Sequence, residues 1–280
     1  MEFVLSLLLQ TALVPVVVSV VVVTTMNRIP RLVTASAAVA PGIAFFAGWA
    51  MQEWTTLQPV RYIDWCPYVA LALGSIVLAI AAGLPQKMMW PLVVATCIAA
   101  AWLLVPNFPR LKPPRPQAIG LVAVTSILFV AATRPIAGRF SPRFLTACLM
   151  ATGTAASVVL AQSFSLKFAQ LMGILTAGLA GNLFYVKRSS DSSFVWMSLV
   201  FMPILINLMF IGYAGSPSQV PILCYAILPC APIMMWTSIF FQREDTPSPK
   251  ELTVALVAVG VVLLIAVYPA VMAHPPWASE

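Results

Sequence analysis

The chain alternates long apolar runs with short polar breaks, and no charged side chain falls inside a run. Ten runs are read: 3–25, 32–51, 66–84, 88–105, 118–133, 144–163, 168–186, 194–214, 220–241 and 252–272. Each is close to the roughly 20 residues that a helix needs to cross a hydrocarbon core about 30 Å thick. A charge at the bilayer centre costs about 3 kcal/mol or more, which explains where the charges are not. The valine run Val20–Val23 would favour a strand in water, but lipid forces backbone hydrogen bonds to close within the segment, as a helix. Barrel strands would alternate in polarity over about ten residues, and that alternation is absent. The pattern predicts an all-α, polytopic membrane helix bundle of about ten transmembrane helices.

Aromatic residues mark the ends of these runs. Trp49 and Trp54 close the second, Trp65 and Tyr68 open the third, and Trp90 and Trp102 bracket the fourth. Trp196, Tyr213 and Trp236 mark later ends. Such rings concentrate at headgroup level, so they read as anchors and not as a ligand cage. Prolines lie within spans at positions 15, 41, 91, 203, 229 and 232. Proline is common in membrane helices, so most read as simple kinks; the pair in Leu228-Pro229-Cys230-Ala231-Pro232 predicts a genuine break.

Small residues recur every four positions at Ser36, Ala40, Ala44 and Gly48, and again at Gly173, Ala177 and Gly181. That spacing opens a groove for a neighbouring helix backbone. These are the second helices of two five-span sets, and an odd number per set would make a duplication inverted in topology. The basic, proline-rich segment 106–117 is taken as the linker that divides a single membrane domain into these two five-span halves. Residues 1–105 carry spans one to four and residues 118–280 carry spans five to ten.

Hydrophobic residues make up 61% of the 280 and charged residues 8%, against about 25% charge in soluble domains. A water-soluble fold is excluded. The net charge of +7 comes from bases scattered among loops, which argues against nucleic acid and for basic loops facing the cytoplasm and anionic lipid. The first run is too long for a signal h-region and lacks a preceding Lys or Arg; Glu2 precedes it and Arg28 and Arg31 follow. With the N-terminus outside, the inner loops carry Arg28, Arg31, Lys87, Arg134, Arg139, Arg143, Lys187, Arg188, Arg243 and Lys250, against Arg61, Arg110, Lys112, Arg115 and Lys167 outside. Both termini are therefore expected outside, in a bacterial inner (plasma) membrane. If 118–133 failed to span, the basic residues would divide eleven to four and the N-terminus would lie inside.

Candidate chemistry is sparse. Cys66, Cys97, Cys148, Cys224 and Cys230 form no CxxC pair, and His274, the sole histidine, lies in the tail. No metal site, catalytic site or cofactor is expected. HExxH, paired intramembrane carboxylates, a Ser–His pair, a P-loop and a GxGxxG before a soluble domain are all missing. An interfacial site would have only Glu53, Arg61 and Asp64 outside, or Arg243, Glu244 and Asp245 inside, and such groups read as solvated caps. Uncharged polar residues remain: Gln162, Lys167 in the turn after it, Gln170, Asn182 and Asn207, with Gln10 and Thr11 in the first half. An amide offers two donors and an acceptor, so these residues either contact a solute or bond helix to helix. No Asp, Glu or His lies within a run, which disfavours a proton relay.

Ten spans, short loops and a five-plus-five division resemble the drug/metabolite transporter superfamily in size and helix count alone. No motif of that family is found, and termini facing outside depart from its usual arrangement. The reading is a carrier or flippase for a small neutral or amphipathic solute, with the lipid bilayer as its surroundings. The alternative is a non-catalytic structural or assembly subunit that binds a membrane-protein partner through its small-residue faces.

Overall fold

The computed structural model describes residues 9–52, 58–108, 111, 113–137, 139–163, 165–185, 192–215, 220–239 and 248–273. Glu2, Glu53, Trp54, Arg110, Lys112, Lys187, Arg188, Arg243, Glu244, Asp245 and His274, invoked above, lie outside the described residues. Among the described residues the regular elements are all helical. In chain order they are α1 (Leu9–Met26), α2 (Pro30–Gln52), α3 (Tyr62–Ala81), α4 (Met89–Leu104), α5 (Arg115–Ala137), α6 (Pro142–Gln162), α7 (Leu166–Gly178), α8 (Ala180–Tyr185), α9 (Ser192–Gly215), α10 (Ile222–Ser238) and α11 (Pro249–Met272). Each of the ten apolar runs holds helix, with α7 and α8 sharing the seventh. Seven of them, α1, α2, α3, α5, α6, α9 and α11, are long and apolar enough to cross a membrane, as a membrane helix bundle requires.

Local chemistry explains the ends. Ser141 and Ser248 are N-caps whose hydroxyls accept from the backbone N–H of Phe144 and Glu251, both at 3.3 Å. A proline follows each cap, at a first-turn position where no N–H is needed. Pro15 sits in the first turn after a π-turn at Leu9–Leu13, and Pro91 is the third residue of α4. Pro91 therefore removes no intrahelical bond, because the first four N–H groups of a helix have no acceptor within it. Pro41 and Pro203 lie inside continuous helices. At Pro229 and Pro232 the expected break is present: Leu228–Met235 runs as a 3₁₀ helix of eight residues, against a usual length of about three or four.

The core is built around α9. Of its most apolar 18-residue stretch 89% is buried, against 17% for that of α1 and 28% for that of α11. Helix α9 packs on α2, α3, α4, α5, α6, α7 and α10, whereas α1 and α11 lie at the periphery. The small residues of α2 permit its central place. A Cβ added at Gly42 would lie 3.0 Å from the Ala70 carbonyl oxygen of α3, and one at Gly48 would meet Ile174 of α7 at 2.5 Å.

On the seventh run the close approach differs from the expected stripe. A Cβ at Gly173 would be 3.9 Å from Ser157, an ordinary contact, while Ala177 is half-buried. A Cβ at Gly178 would instead meet the Pro41 carbonyl oxygen at 3.3 Å, and one at Gly181 would stand 2.7 Å from the Ser19 backbone. The segment 106–117 also falls differently. It lies between α4 and α5, so it separates four runs from six, and a five-plus-five division would fall between α5 and α6. Arg115 folds back from this segment onto the end of α4, donating to the carbonyls of Trp102 (3.1 Å) and Val105 (3.3 Å) over the Trp102 ring.

Candidate functional site

The polar residues singled out from the sequence do not converge. Gln162 ends α6 and Gln170 lies in α7, both half-buried. Asn182 is in α8, twelve residues beyond Gln170, or about 18 Å of helical rise. Asn207 lies in α9 ten residues past Met197, the residue that Asn182 touches, which separates the two asparagines by about 15 Å.

Asn182 is 1% exposed, and its Nδ2 donates to the Ala37 carbonyl of α2 at 2.9 Å. Ala37 is four residues before Pro41, so its carbonyl has no intrahelical donor. The asparagine supplies the missing hydrogen. A parallel repair joins α1 to α7: the Asn182 N–H bonds to Leu179 instead of Gly178, and the Ser19 hydroxyl donates to the Gly178 carbonyl at 2.5 Å. Asn207, fully buried, donates from Nδ2 to the Pro203 carbonyl of its own helix at 2.8 Å. Asn182 Oδ1 and Asn207 Oδ1 are buried with no hydrogen-bond partner among the described residues.

Lys167 is an ion-pair partner. Its Nζ lies 3.7 Å from the Asp64 carboxylate, tying the first turn of α7 to the start of α3. Asp64, 5% exposed, also accepts from the Arg61 N–H at 2.9 Å and pairs with the Arg61 guanidinium at 3.3 Å. A second pair lies between the α5–α6 turn and the first turn of α11: Arg139 Nη2 to Glu251 at 2.7 Å, with both side chains buried. Distances in sequence of 103 and 112 residues put both contacts beyond the reach of any local pattern.

What the sequence reading missed is a cavity of about 310 Å³ between α5, α9 and α10. Its lining includes Leu121 and Phe129 of α5, Ile206 and Tyr213 of α9, and Ile222 and Pro229 of α10, and is almost wholly apolar. Thr125 lies in the wall, but its hydroxyl is bonded to the Leu121 carbonyl at 2.7 Å. Tyr225 lines it too, 4% exposed, with a hydroxyl that has no hydrogen-bond partner among the described residues. The available signal was the Leu228–Pro232 break beside it. Prolines three apart stack on one face of a 3₁₀ helix, and α10 departs there from the regular packing that would close the gap.

Comparison with protein-family models, with curated proteins and with solved structures finds no match to this chain.

Proposed function

We propose that the chain is a carrier or flippase for a small amphipathic solute, crossing a bacterial inner membrane ten times with both termini outside and acting without cofactor or bond-making chemistry. The cavity between α5, α9 and α10 carries this reading. At about 310 Å³ it reaches the lower end of the roughly 300–1,000 Å³ typical of small-molecule sites. Its apolar lining suits the hydrophobic part of such a solute. The buried carboxylates among the described residues, Asp64 and Glu251, stand at helix starts and are ion-paired. That supports a mechanism with no proton relay through the bundle.

The polar residues named from the sequence enter this reading differently. Asn182 serves helix packing, Lys167 is ion-paired to Asp64 at 3.7 Å, and Gln162 and Gln170 stand half-buried on α6 and α7, away from the cavity. The subunit alternative leaned on small-residue faces, yet those of α2 and α8 are used within the chain, since Ala40, Ala44, Gly48 and Gly181 are buried. The test is reconstitution in liposomes carrying a fluorescent single-chain lipid, read as loss of outer-leaflet fluorescence after a membrane-impermeant quencher. Faster exchange than in empty liposomes supports the proposal. Exchange at the empty-liposome rate, with a stoichiometric membrane partner retained through purification, would favour the subunit.

A further inference from the structure

We infer that the cavity beside Tyr225 is a binding site for one hydrocarbon chain of a single-tailed amphiphile, taken from the bilayer. The inference rests on the carrier reading only in calling that molecule the solute. The three walls fix its orientation. Helices α5 and α10 run in one direction and α9 in the other, so Leu121, Tyr213 and Ile222 lie at one level and Phe129, Ile206 and Pro229 at the other. The first three are exposed, whereas Ile206 and Pro229 are buried and Phe129 half-buried. The cavity therefore has a mouth near the α9–α10 connection and a floor about 12 Å deeper along α5. The mouth carries the phenol of Tyr213, whose ring meets that of Tyr225 at 5.8 Å between centroids. Its floor is hydrocarbon.

Size selects the occupant. A volume of 310 Å³ equals that of about ten water molecules, enough for one chain of moderate length and too little for both tails of a phospholipid. Water is disfavoured, because it needs two or more polar partners and the lining has almost none free. Tyr225 adds selectivity. A buried tyrosine hydroxyl ordinarily finds a partner; that of Tyr225 is shut off from the cavity, and it donates to an amphiphile's ester or hydroxyl oxygen once the phenol turns toward the mouth.

A lysophosphatidylcholine with a photoreactive diazirine in its acyl chain tests the site on the full chain in liposomes. Crosslinks should concentrate in peptides spanning 121–129, 206–213 and 222–229, above the level on the lipid-facing helix α11. A two-chain phosphatidylcholine with the same group should show no such concentration. Met209→Trp fills the cavity and should reduce lysolipid labelling there to the α11 level, with unchanged thermal stability showing that the variant is folded. Tyr225→Phe should weaken lysolipid binding by about three- to tenfold, the worth of one hydrogen bond, while labelling by a diazirine-bearing alkane is unchanged. Uniform labelling of all exposed helices, or full labelling of folded Met209→Trp, overturns the site. Labelling as expected without lipid exchange upholds the site and sinks the carrier reading.

Discussion

Asn182 illustrates how a polar side chain earns its place in a hydrocarbon environment. Pro41 leaves the Ala37 carbonyl without its helical donor, and the Asn182 amide bonds it at 2.9 Å. The two residues should be energetically coupled. Asn182→Ala is expected to destabilise by about 0.6 kcal/mol, and up to roughly 2, the range for hydrogen bonds between membrane helices. In a Pro41→Ala background the new N–H serves Ala37, so the same substitution should cost less. A double-mutant cycle of thermal stability in detergent reads the difference, and strict additivity would refute the repair. Asn207 gives the opposite case. Its Oδ1 is buried without a partner and its Nδ2 bonds only its own helix, so Asn207→Leu should leave stability unchanged or raise it, since replacing an unsatisfied buried group can be neutral or favourable. A fall of several degrees in the melting temperature would point to an unseen partner. Prolines and asparagines were visible in the sequence, but their pairing was not, because Asn182 and Ala37 stand 145 residues apart.

At the scale of elements, the seventh run shows why a correct pattern can select the wrong face. The spacing of Gly173, Ala177 and Gly181 assumes 3.6 residues per turn throughout. At Leu179 the backbone tightens: Leu179 N–H bonds to Thr176 and Asn182 N–H to Leu179, both three residues back. Residues three apart then share a face, which brings Gly178 and Gly181 together against α2 and α1 and turns Ala177 aside. Gly181→Ala should therefore destabilise by about 1–3 kcal/mol, because its Cβ has no room beside the Ser19 backbone, and it should cost more than Ala177→Leu. Thermal scans of the two variants in one detergent decide it, and the reverse order would restore the regular stripe. Helix positions were legible because apolar length alone sets them. The turn at Leu179 was not, since no glycine or proline occupies that position.

Two ion pairs set the dimensions of the whole molecule. Asp64–Lys167 and Arg139–Glu251 lie at opposite ends of α6, whose 21 residues rise about 31 Å. Between them lies an apolar slab of bilayer thickness. Of the helices that fill an apolar run alone, α4 and α10 are the short ones, and their geometry makes up the difference. A 3₁₀ helix rises about 2.0 Å per residue against 1.5 Å for an α-helix, so α10, with its eight-residue 3₁₀ stretch, reaches about 30 Å. The 3₁₀ turn Gln86–Met88 extends α4 to a similar length. Both are then long enough to cross, as the proposed ten-span carrier requires. Reporter fusions placed within 187–193 and after Glu280 should consequently report opposite sides, with the C-terminal fusion outside. The two sites are separated by α9, α10 and α11, an odd number of crossings. If α10 failed to cross, α9 and α11 alone would return the C-terminus to the side of 187–193. Matching reporters would therefore remove α10 from the spans and place its cavity at the membrane surface, where the bound hydrocarbon chain would have no lipid source.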